Sequence, residues 1–375
     1  MLKRIYIDNF RSFVNFEYKP ERKQLLLGAN GSGKSSLLEA LQLLKAFLRD
    51  GGTVDKENTR RAFHYGRTRW LDLPKQVFEI ESELDGKQYN YRLELQTEKA
   101  LSWVGASVIA ESLKVDGELV AEILDGQAIL YPIHGGNSVI RMEQRTINEG
   151  SIFRTFAGYV EETRTFVGWI SDLPCLNVNP YGMGQTGFIP GRPRLRSDMS
   201  NIADWYKRQT ETDIESVIEL SASLKEVLEG FESLNFRDVG SDHAELTASF
   251  KGAGSKAVFS LMELSEGQRC LIALYMVLHF LIAKGHTVFI DEPDNFISLR
   301  EIQPWLLAAE EAVEESKGQL ILISHHPEIL NQWAQEYGLR FFREENGHVR
   351  TESFKTDPDG LLQPSELIAR GWENE

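Results

Sequence analysis

The feature that most constrains the fold of this chain is the run GANGSGKS at residues 28–35. It lies between the apolar run QLLL at residues 24–27 and the helix-like segment LLEA at residues 37–40. A strand, a glycine-rich loop and a helix in this order form a phosphate-binding loop, in which successive backbone N–H groups face the phosphates at a helix N-terminus. We therefore expect the chain to bind a nucleoside triphosphate. The alternative, an ordinary glycine-rich turn, does not explain the flanking strand and helix.

The loop assigns roles to its residues. The lysine of such a loop, here Lys34, reaches the β- and γ-phosphates, and the following hydroxyl, here Ser35, holds Mg²⁺. The expected cofactors are therefore ATP and Mg²⁺. The other loop residues expected to contact ATP are Asn30, Gly31, Ser32, Gly33 and Ser36.

Composition limits the class of protein. The chain has 375 residues, of which 42% are hydrophobic and 26% charged, as in soluble proteins with a substantial core. No uncharged apolar stretch is long enough to cross a bilayer, and residues 1–8 resemble a strand more than a signal peptide. Cys175 and Cys270 lie far apart without metal-ligand spacing, so we expect buried, inert thiols in a reducing cytoplasm. We expect no membrane contact.

The net charge of −15 argues against a surface that binds nucleic acid throughout. Two local stretches are basic: residues 60–70, with four arginines and Trp70, and residues 188–196, with three arginines and Phe188. Either stretch can be a solvated charged face or a contact for nucleic acid or a partner. DNA binding therefore stays open at this point.

Hydrophobic patterns predict an α/β chain. Alternating residues on both sides of Asp85-Gly86 predict a β-hairpin over residues 77–95, and a similar pattern extends an antiparallel β subdomain over about residues 75–145. Three- and four-residue spacing predicts a helical lobe over about residues 198–232. The other predicted elements are a loop over residues 180–193, a buried helix over 271–282, central parallel strands at 288–290 and 320–323, and a hairpin over 341–351.

A second motif, TVFIDEP at residues 287–293, is an apolar strand that ends in two carboxylates, the Walker B arrangement. Asp291 is expected to bind Mg²⁺, usually through water, and Glu292 to orient and deprotonate the attacking water. A strand end with two solvated carboxylates is a weak signal alone. The phosphate-binding loop in the same chain favours the catalytic interpretation.

The segment LSEGQR at residues 264–269 resembles the LSGGQ signature of ABC-type ATPases, with Glu266 in place of one glycine. A serine hydroxyl, a glycine amide and a helix N-terminus form a second cradle for a γ-phosphate. Ser265, Gly267 and Gln268 are the expected contacts. One molecule cannot easily offer both cradles to one nucleotide, so the resemblance implies that two chains pair head to tail. The alternative is a serine that simply caps a helix.

The segment LISHHPEIL at residues 322–330 resembles the switch region of the same ATPases. The register of this resemblance makes His325 the histidine that contacts the γ-phosphate, and His326 takes the place of a serine. Arg11, in an Asn-Phe-Arg-Ser pattern at residues 9–12, can approach the phosphates, and Gln185 is the candidate for the Q-loop glutamine that senses Mg²⁺. Residues 294–295 occupy the D-loop position, with an open role.

The order of these motifs resembles the ABC-type ATPase heads of the SMC, RecF and OLD families. The resemblance implies a P-loop NTPase core with a mixed or parallel sheet, an antiparallel β subdomain and an inserted helical lobe. It divides the chain into residues 1–180 with the phosphate-binding loop and β subdomain, residues 181–263 with the loop and helical lobe, and residues 264–375 with the signature, Walker B, switch histidine and last hairpin. The heptads of a long coiled coil are missing, and too few residues follow His325 for the Toprim domain of OLD nucleases.

Three functions compete. The first is a cytoplasmic ATPase that forms a homodimer, or a larger oligomer, around two ATP molecules and regulates a separate effector such as a nuclease or toxin, in an anti-phage defence or toxin-type system. The second is a RecF-like DNA-repair ATPase that clamps DNA directly. The third, a P-loop small-molecule kinase, has no use for the signature or for His325.

Overall fold

The computed structural model describes residues 1–49, 53–100, 103–124, 127–131, 140–143, 151–153, 158–183, 194–238, 244–252, 256–357 and 361–371. They form two compact units. The N-terminal unit comprises residues 1–21, 28–173 and 340–352, and the C-terminal unit comprises residues 22–27, 174–339 and 353–375.

The strands are Leu2–Asp8 (β1), Phe16–Tyr18 (β2), Lys23–Leu27 (β3), Lys75–Leu84 (β4), Lys87–Ala100 (β5), Trp103–Val115 (β6), Glu118–Leu124 (β7), Gln127–Leu130 (β8), Ile140–Glu143 (β9), Cys175–Asn177 (β10), Phe231–Asp238 (β11), Ala244–Lys251 (β12), Lys256–Ser260 (β13), Thr287–Asp291 (β14), Gln319–Ile323 (β15), Gly338–Arg343 (β16) and Val349–Ser353 (β17). The helices are Lys34–Leu48 (α1), Thr53–Gly66 (α2), Glu161–Asp172 (α3), Ile202–Thr212 (α4), Ile214–Val227 (α5), Glu266–Val277 (α6), Leu299–Ser316 (α7), Pro327–Tyr337 (α8) and Pro364–Arg370 (α9).

The N-terminal unit contains an eight-stranded antiparallel sheet in the order β2-β1-β4-β5-β6-β7-β8-β9. Its β4–β5 hairpin turns at Asp85 and Gly86, which both have positive φ, as a type I′ turn requires. Asp116 and Gly117 repeat this geometry between β6 and β7. The predicted hairpin over residues 77–95 and its repetition are therefore confirmed, and the sheet also takes in β1 and β2.

The C-terminal unit is built on parallel strands in the order β10-β14-β15-β3. All five residues of β15 are buried, as expected of a central strand covered on both faces. The indole N–H of Trp305 on α7 donates to the carbonyl of Leu274 on α6 at 3.1 Å, which satisfies a polar group inside this core. The α/β class and the strands predicted near residues 288–290 and 320–323 are confirmed.

Two predictions for this unit need correction. The buried helix begins at Glu266, because Ser265 caps it, and its α-helical part ends at Val277, after which Leu278–Ile282 form a π-helical turn. The predicted helical lobe consists of α4 and α5, separated at Asp213, whose carboxylate accepts from the Ser216 N–H. Phe231 is not helical: it begins β11 of a three-stranded antiparallel sheet, β11-β12-β13, that the sequence analysis missed.

Cys175 and Cys270 are both buried free thiols, as predicted. Burial raises the pKa of Cys270 to about 12, so the thiol stays protonated and unreactive. Within the described ranges, no helix is both long enough and apolar enough to span a bilayer.

A buried carboxyl group lies inside the N-terminal unit. Glu111 on β6 is 1% exposed and accepts hydrogen bonds from the Tyr91 hydroxyl at 2.8 Å, the Ser151 hydroxyl at 2.5 Å and the Ile152 N–H at 2.8 Å. Burial outweighs these bonds and raises the pKa of Glu111 to about 7. The folded protein therefore holds a proton at Glu111 that the unfolded chain releases near pH 4.5.

This proton makes stability depend on pH. Between about pH 4.5 and 7 the unfolded state loses the proton and the folded state keeps it, so the free energy of unfolding falls, by on the order of 3 kcal/mol. We expect Glu111→Gln, whose amide keeps hydrogen bonds to the same groups, to flatten this fall. Urea unfolding between pH 5 and 8 measures it. Glu118→Gln, at an exposed position, is the control, and equal slopes in wild type and Glu111→Gln would contradict the expectation.

Candidate functional site

The phosphate-binding loop has the backbone that its sequence predicts. Gly28, Gly31 and Gly33 have φ of 133°, 80° and 114°, a region that side chains with a Cβ rarely adopt. A Cβ at Gly28 would lie 2.2 Å from the Phe341 carbonyl oxygen, and one at Gly33 would lie 2.9 Å from a Val349 methyl group. The loop is therefore packed against residues of β16 and β17, and its glycines are required for space as well as for conformation.

Lys34 begins α1, and its side chain folds back over this loop. It is 6% exposed, and its ammonium group donates to the Gly28 carbonyl at 2.5 Å and to the Ala29 carbonyl at 3.3 Å. The N-cap of α1 is Gly33, which offers no side-chain acceptor to the N–H groups of the first turn. A lysine charge and uncapped helix N–H groups in one loop are suited to an anion.

Arg11 lies in the same unit. Its Nε donates to Glu39 Oε2 on α1 at 2.9 Å, and a second guanidinium nitrogen donates to Glu39 Oε1. Arg11 also has a positive φ of 55°. The structure thus brings Arg11 to the helix that follows the loop, through Glu39, and its predicted approach to the nucleotide stays a prediction.

In the C-terminal unit, register aligns the ends of three strands. Asp291 at the end of β14 pairs with Ile323 at the end of β15, and Ile323 pairs with Leu26 of β3. The N–H of Glu292 donates to the Ile323 carbonyl at 2.8 Å, which extends this pairing by one residue. Carboxyl ends of parallel strands are where α/β sheets bind ligands. The phosphate-binding loop follows Leu27 directly in the chain.

Two carboxylates after β14, those of Glu292 and Asp294, differ in their surroundings. Glu292 has φ of 50°, and its Oε2 accepts a 2.7 Å hydrogen bond from the Asn295 amide. Asp294 accepts a 2.6 Å bond from the Ser324 hydroxyl after β15. Residues 294–295 had no role predicted from sequence. In the structure Asn295 binds Glu292, the predicted base, and Asp294 binds Ser324, which precedes His325.

The second of the two histidines after β15 has a structural role. The imidazole Nδ1 of His326 accepts from the Glu328 N–H at 3.3 Å and so caps α8. The backbone N–H of His326 donates to Ser324 Oγ at 2.9 Å. His326 therefore has a structural role. His325 keeps its assignment as the switch histidine, which stays a prediction.

The signature segment begins α6. Ser265 is exposed, its hydroxyl accepts from the Gln268 N–H at 3.2 Å, and Gln268 Oε1 accepts from the Ser265 N–H at 3.1 Å. This capping box shows that Ser265 is an N-cap whatever else it does. A Cβ at Gly267 would lie 2.8 Å from the Phe296 carbonyl oxygen, so the signature packs closely against the segment after Glu292.

Mg²⁺ prefers oxygen ligands and binds through one or two protein groups plus substrate phosphates. The hydroxyl of Ser35 and the carboxylate of Asp291 fit this preference. No cluster of three or more His, Cys, Asp and Glu side chains suited to a metal occurs in the described ranges. Gln185, the predicted Q-loop glutamine, lies outside the described residues.

Comparison with solved structures finds the same architecture. An SMC head bound to the C-terminal winged-helix domain of ScpA superposes with a TM-score of 0.58 at 14% identity, over 96% of this chain and 99% of that one. An SMC head with an extended coiled coil, bound to the C-terminal domain of ScpA from Pyrococcus furiosus, gives 0.50 at 12% identity, over 100% and 99%. Identities this low show the fold alone.

Comparison by sequence is more specific. A search of curated proteins gave no match. A family profile described as "AAA domain, putative AbiEii toxin, Type IV TA system" matches residues 25–119 and 192–331, which is more than half of the chain. The chain therefore belongs to this AAA-domain family and has the P-loop ATPase fold of SMC heads.

Proposed function

We propose that this protein is an ATPase that forms a dimer around two ATP molecules and uses the closing and opening of that dimer to regulate a separate effector protein. ATP binds with Mg²⁺ at the phosphate-binding loop, where Lys34 and Ser35 hold it. Glu292 accepts the proton of the attacking water, and His325 helps to place that water. Mg²⁺ supplies charge neutralisation at the phosphates when it is bound.

The observation that carries the hydrolytic part is the register of β14, β15 and β3. Because Asp291, Ile323 and Leu26 are paired across three parallel strands, the two Walker B carboxylates and the switch segment start at the edge where the chain continues into the phosphate-binding loop. A general base must lie within hydrogen-bond reach of its water, and this edge is where the reacting γ-phosphate is expected.

The signature supports the dimer. Ser265 lies exposed at the N-terminus of α6, where N–H groups and the helix dipole favour an anion. The phosphate-binding loop already offers one complete cradle of the same kind. A second cradle is explained if it binds the γ-phosphate held by another copy, so that ATP stabilises the closed dimer through its greater affinity for that state.

The effector is the least constrained part. The family description names a putative toxin of a type IV system, and both solved relatives were determined with ScpA domains bound. By analogy, we propose that a separate nuclease or toxin binds this ATPase, in an anti-phage or toxin-type system. A direct DNA clamp fits less well with a net charge of −15. A DNA clamp would hydrolyse ATP faster when DNA is present, and this stimulation would weaken steeply as the salt concentration rises.

Trapping the ATP-bound state tests the catalytic assignment. We expect Glu292→Gln to bind ATP but to lower turnover by about 10²-fold or more, because the amide cannot accept the water's proton. Sedimentation with saturating ATP and Mg²⁺ should show a stable dimer. Glu366→Gln, which keeps the capping box of α9, is the matched control. A Glu292→Gln protein that stays monomeric, or that hydrolyses ATP normally, would count against the proposal.

Mixing two inactive variants tests whether each site uses two chains. Lys34→Ala removes one cradle and Ser265→Arg blocks the other, so each protein alone should release no phosphate. A mixed dimer has one intact site and one doubly damaged site. Random pairing of equal amounts should therefore restore up to about a quarter of wild-type turnover.

The control for this mixture replaces Ser265→Arg with the double variant Lys34→Ala/Ser265→Arg, which should restore nothing. If each chain hydrolyses ATP alone, either Ser265→Arg will be active by itself or the first mixture will be as inactive as its components. Either result would exclude the shared site and leave the ATPase assignment standing.

A further inference from the structure

The carboxylate of Glu292 is held by a side chain three residues later. Asn295 Nδ2 donates to Glu292 Oε2 at 2.7 Å, and the Asn295 N–H donates to the Glu292 carbonyl at 3.3 Å. Both the backbone and the carboxylate of Glu292 are therefore tied to the same residue. Within the described ranges, Asn295 is the only side chain that hydrogen-bonds Glu292.

The backbone between these two residues is a tight turn. Pro293 occupies its second position, where its fixed φ favours a β-turn, and it is buried. Glu292 enters the turn with φ of 50°, which is unfavourable for a residue with a Cβ. The bonds from the Glu292 N–H to Ile323 and from Asn295 to Glu292 offset that cost. An uncommon backbone conformation is thus maintained at the predicted general base.

The turn is also held by a hydrogen bond to Asp294, its third residue. Ser324 is fully buried after β15, and its hydroxyl donates to Asp294 Oδ1 at 2.6 Å while accepting from the His326 N–H at 2.9 Å. These bonds fix Asp294 relative to the segment that contains His325. Asn295 therefore approaches Glu292 from a turn with little freedom to move, which is what a positioning group requires.

We propose that Asn295 is a positioning residue that orients the Glu292 carboxylate for proton abstraction from water, with Oε2 bound to the amide and Oε1 directed to the water. This inference rests on the proposed role of Glu292. The hydrogen bond from Asn295 fixes one oxygen of the base, so the carboxylate cannot rotate away from the water.

Two substitutions of Asn295 remove this hydrogen bond. Asn295→Ala removes the donor, and Asn295→Asp replaces it with a like charge. Asp291 and Asp294, the other carboxylates of this segment, are unchanged in both variants.

The experiment compares kcat and KM for ATP hydrolysis in wild type, Asn295→Ala and Asn295→Asp. We expect kcat to fall about tenfold in Asn295→Ala, with KM for ATP nearly unchanged, because a mispositioned base affects the chemical step more than binding. Asn295→Asp, which keeps the size of the side chain but cannot donate to the Glu292 carboxylate, should lower kcat at least as much. A purely structural role would lower the amount of folded protein and leave the kcat of the folded enzyme unchanged.

Asn346→Ala is the matched control, since Asn346 also donates to a glutamate, Glu344, in the turn between β16 and β17. It should leave kcat and KM unchanged. Thermal unfolding of each variant excludes loss of the fold.

Two outcomes separate the inference from the proposed function. If Glu292→Gln abolishes turnover but the Asn295 variants keep the wild-type kcat, the positioning role is wrong and the ATPase assignment stands. If Glu292→Gln itself hydrolyses ATP normally, the assignment of the base fails and the inference fails with it.

Discussion

The parallel pairing of β15 with both β14 and β3 is the interaction on which the candidate chemistry depends. Parallel strands bring their carboxyl ends to one edge, and the register sets Asp291, Ile323 and Leu26 in one row. A shift of one residue would send each side chain to the opposite face of the sheet. All five residues of β15 are buried, so such a shift would have to repack both faces of the sheet.

Much of this arrangement could be predicted from sequence because it rests on local patterns. The apolar strands before Asp291 and Ser324, the glycines of the phosphate-binding loop and the Asp85-Gly86 turn each have a short-range signal, and the structure has all of them. Spacing and residue type sufficed where the backbone conformation depends on neighbours within a few residues.

The elements that were predicted incorrectly from sequence also have physical explanations. Hydrophobicity does not distinguish an α-helical turn from a π-helical one, so the helix through Leu278–Ile282 was predicted as regular. The apolar spacing of α5 continued into Phe231, although the helix ends at Val227 and Gly230, with φ of 73°, turns the chain into β11. β13 has no alternation of buried and exposed residues, so the sheet that contains it was not predicted.

The bond from Asn295 to Glu292 depends on the left-handed backbone conformation of Glu292, which no local sequence signal marks.

The close contact at Gly267 affects how variants of the signature can be interpreted. Any side chain there would lie within 2.8 Å of the Phe296 carbonyl, and Phe296 directly follows Asn295. A loss of activity in Gly267→Ala would therefore combine two defects: a weakened anion cradle and a displaced loop beside Glu292, the proposed base. Ser265 has an exposed side chain, so its variants leave that loop in place and report on the cradle together with the N-cap of α6.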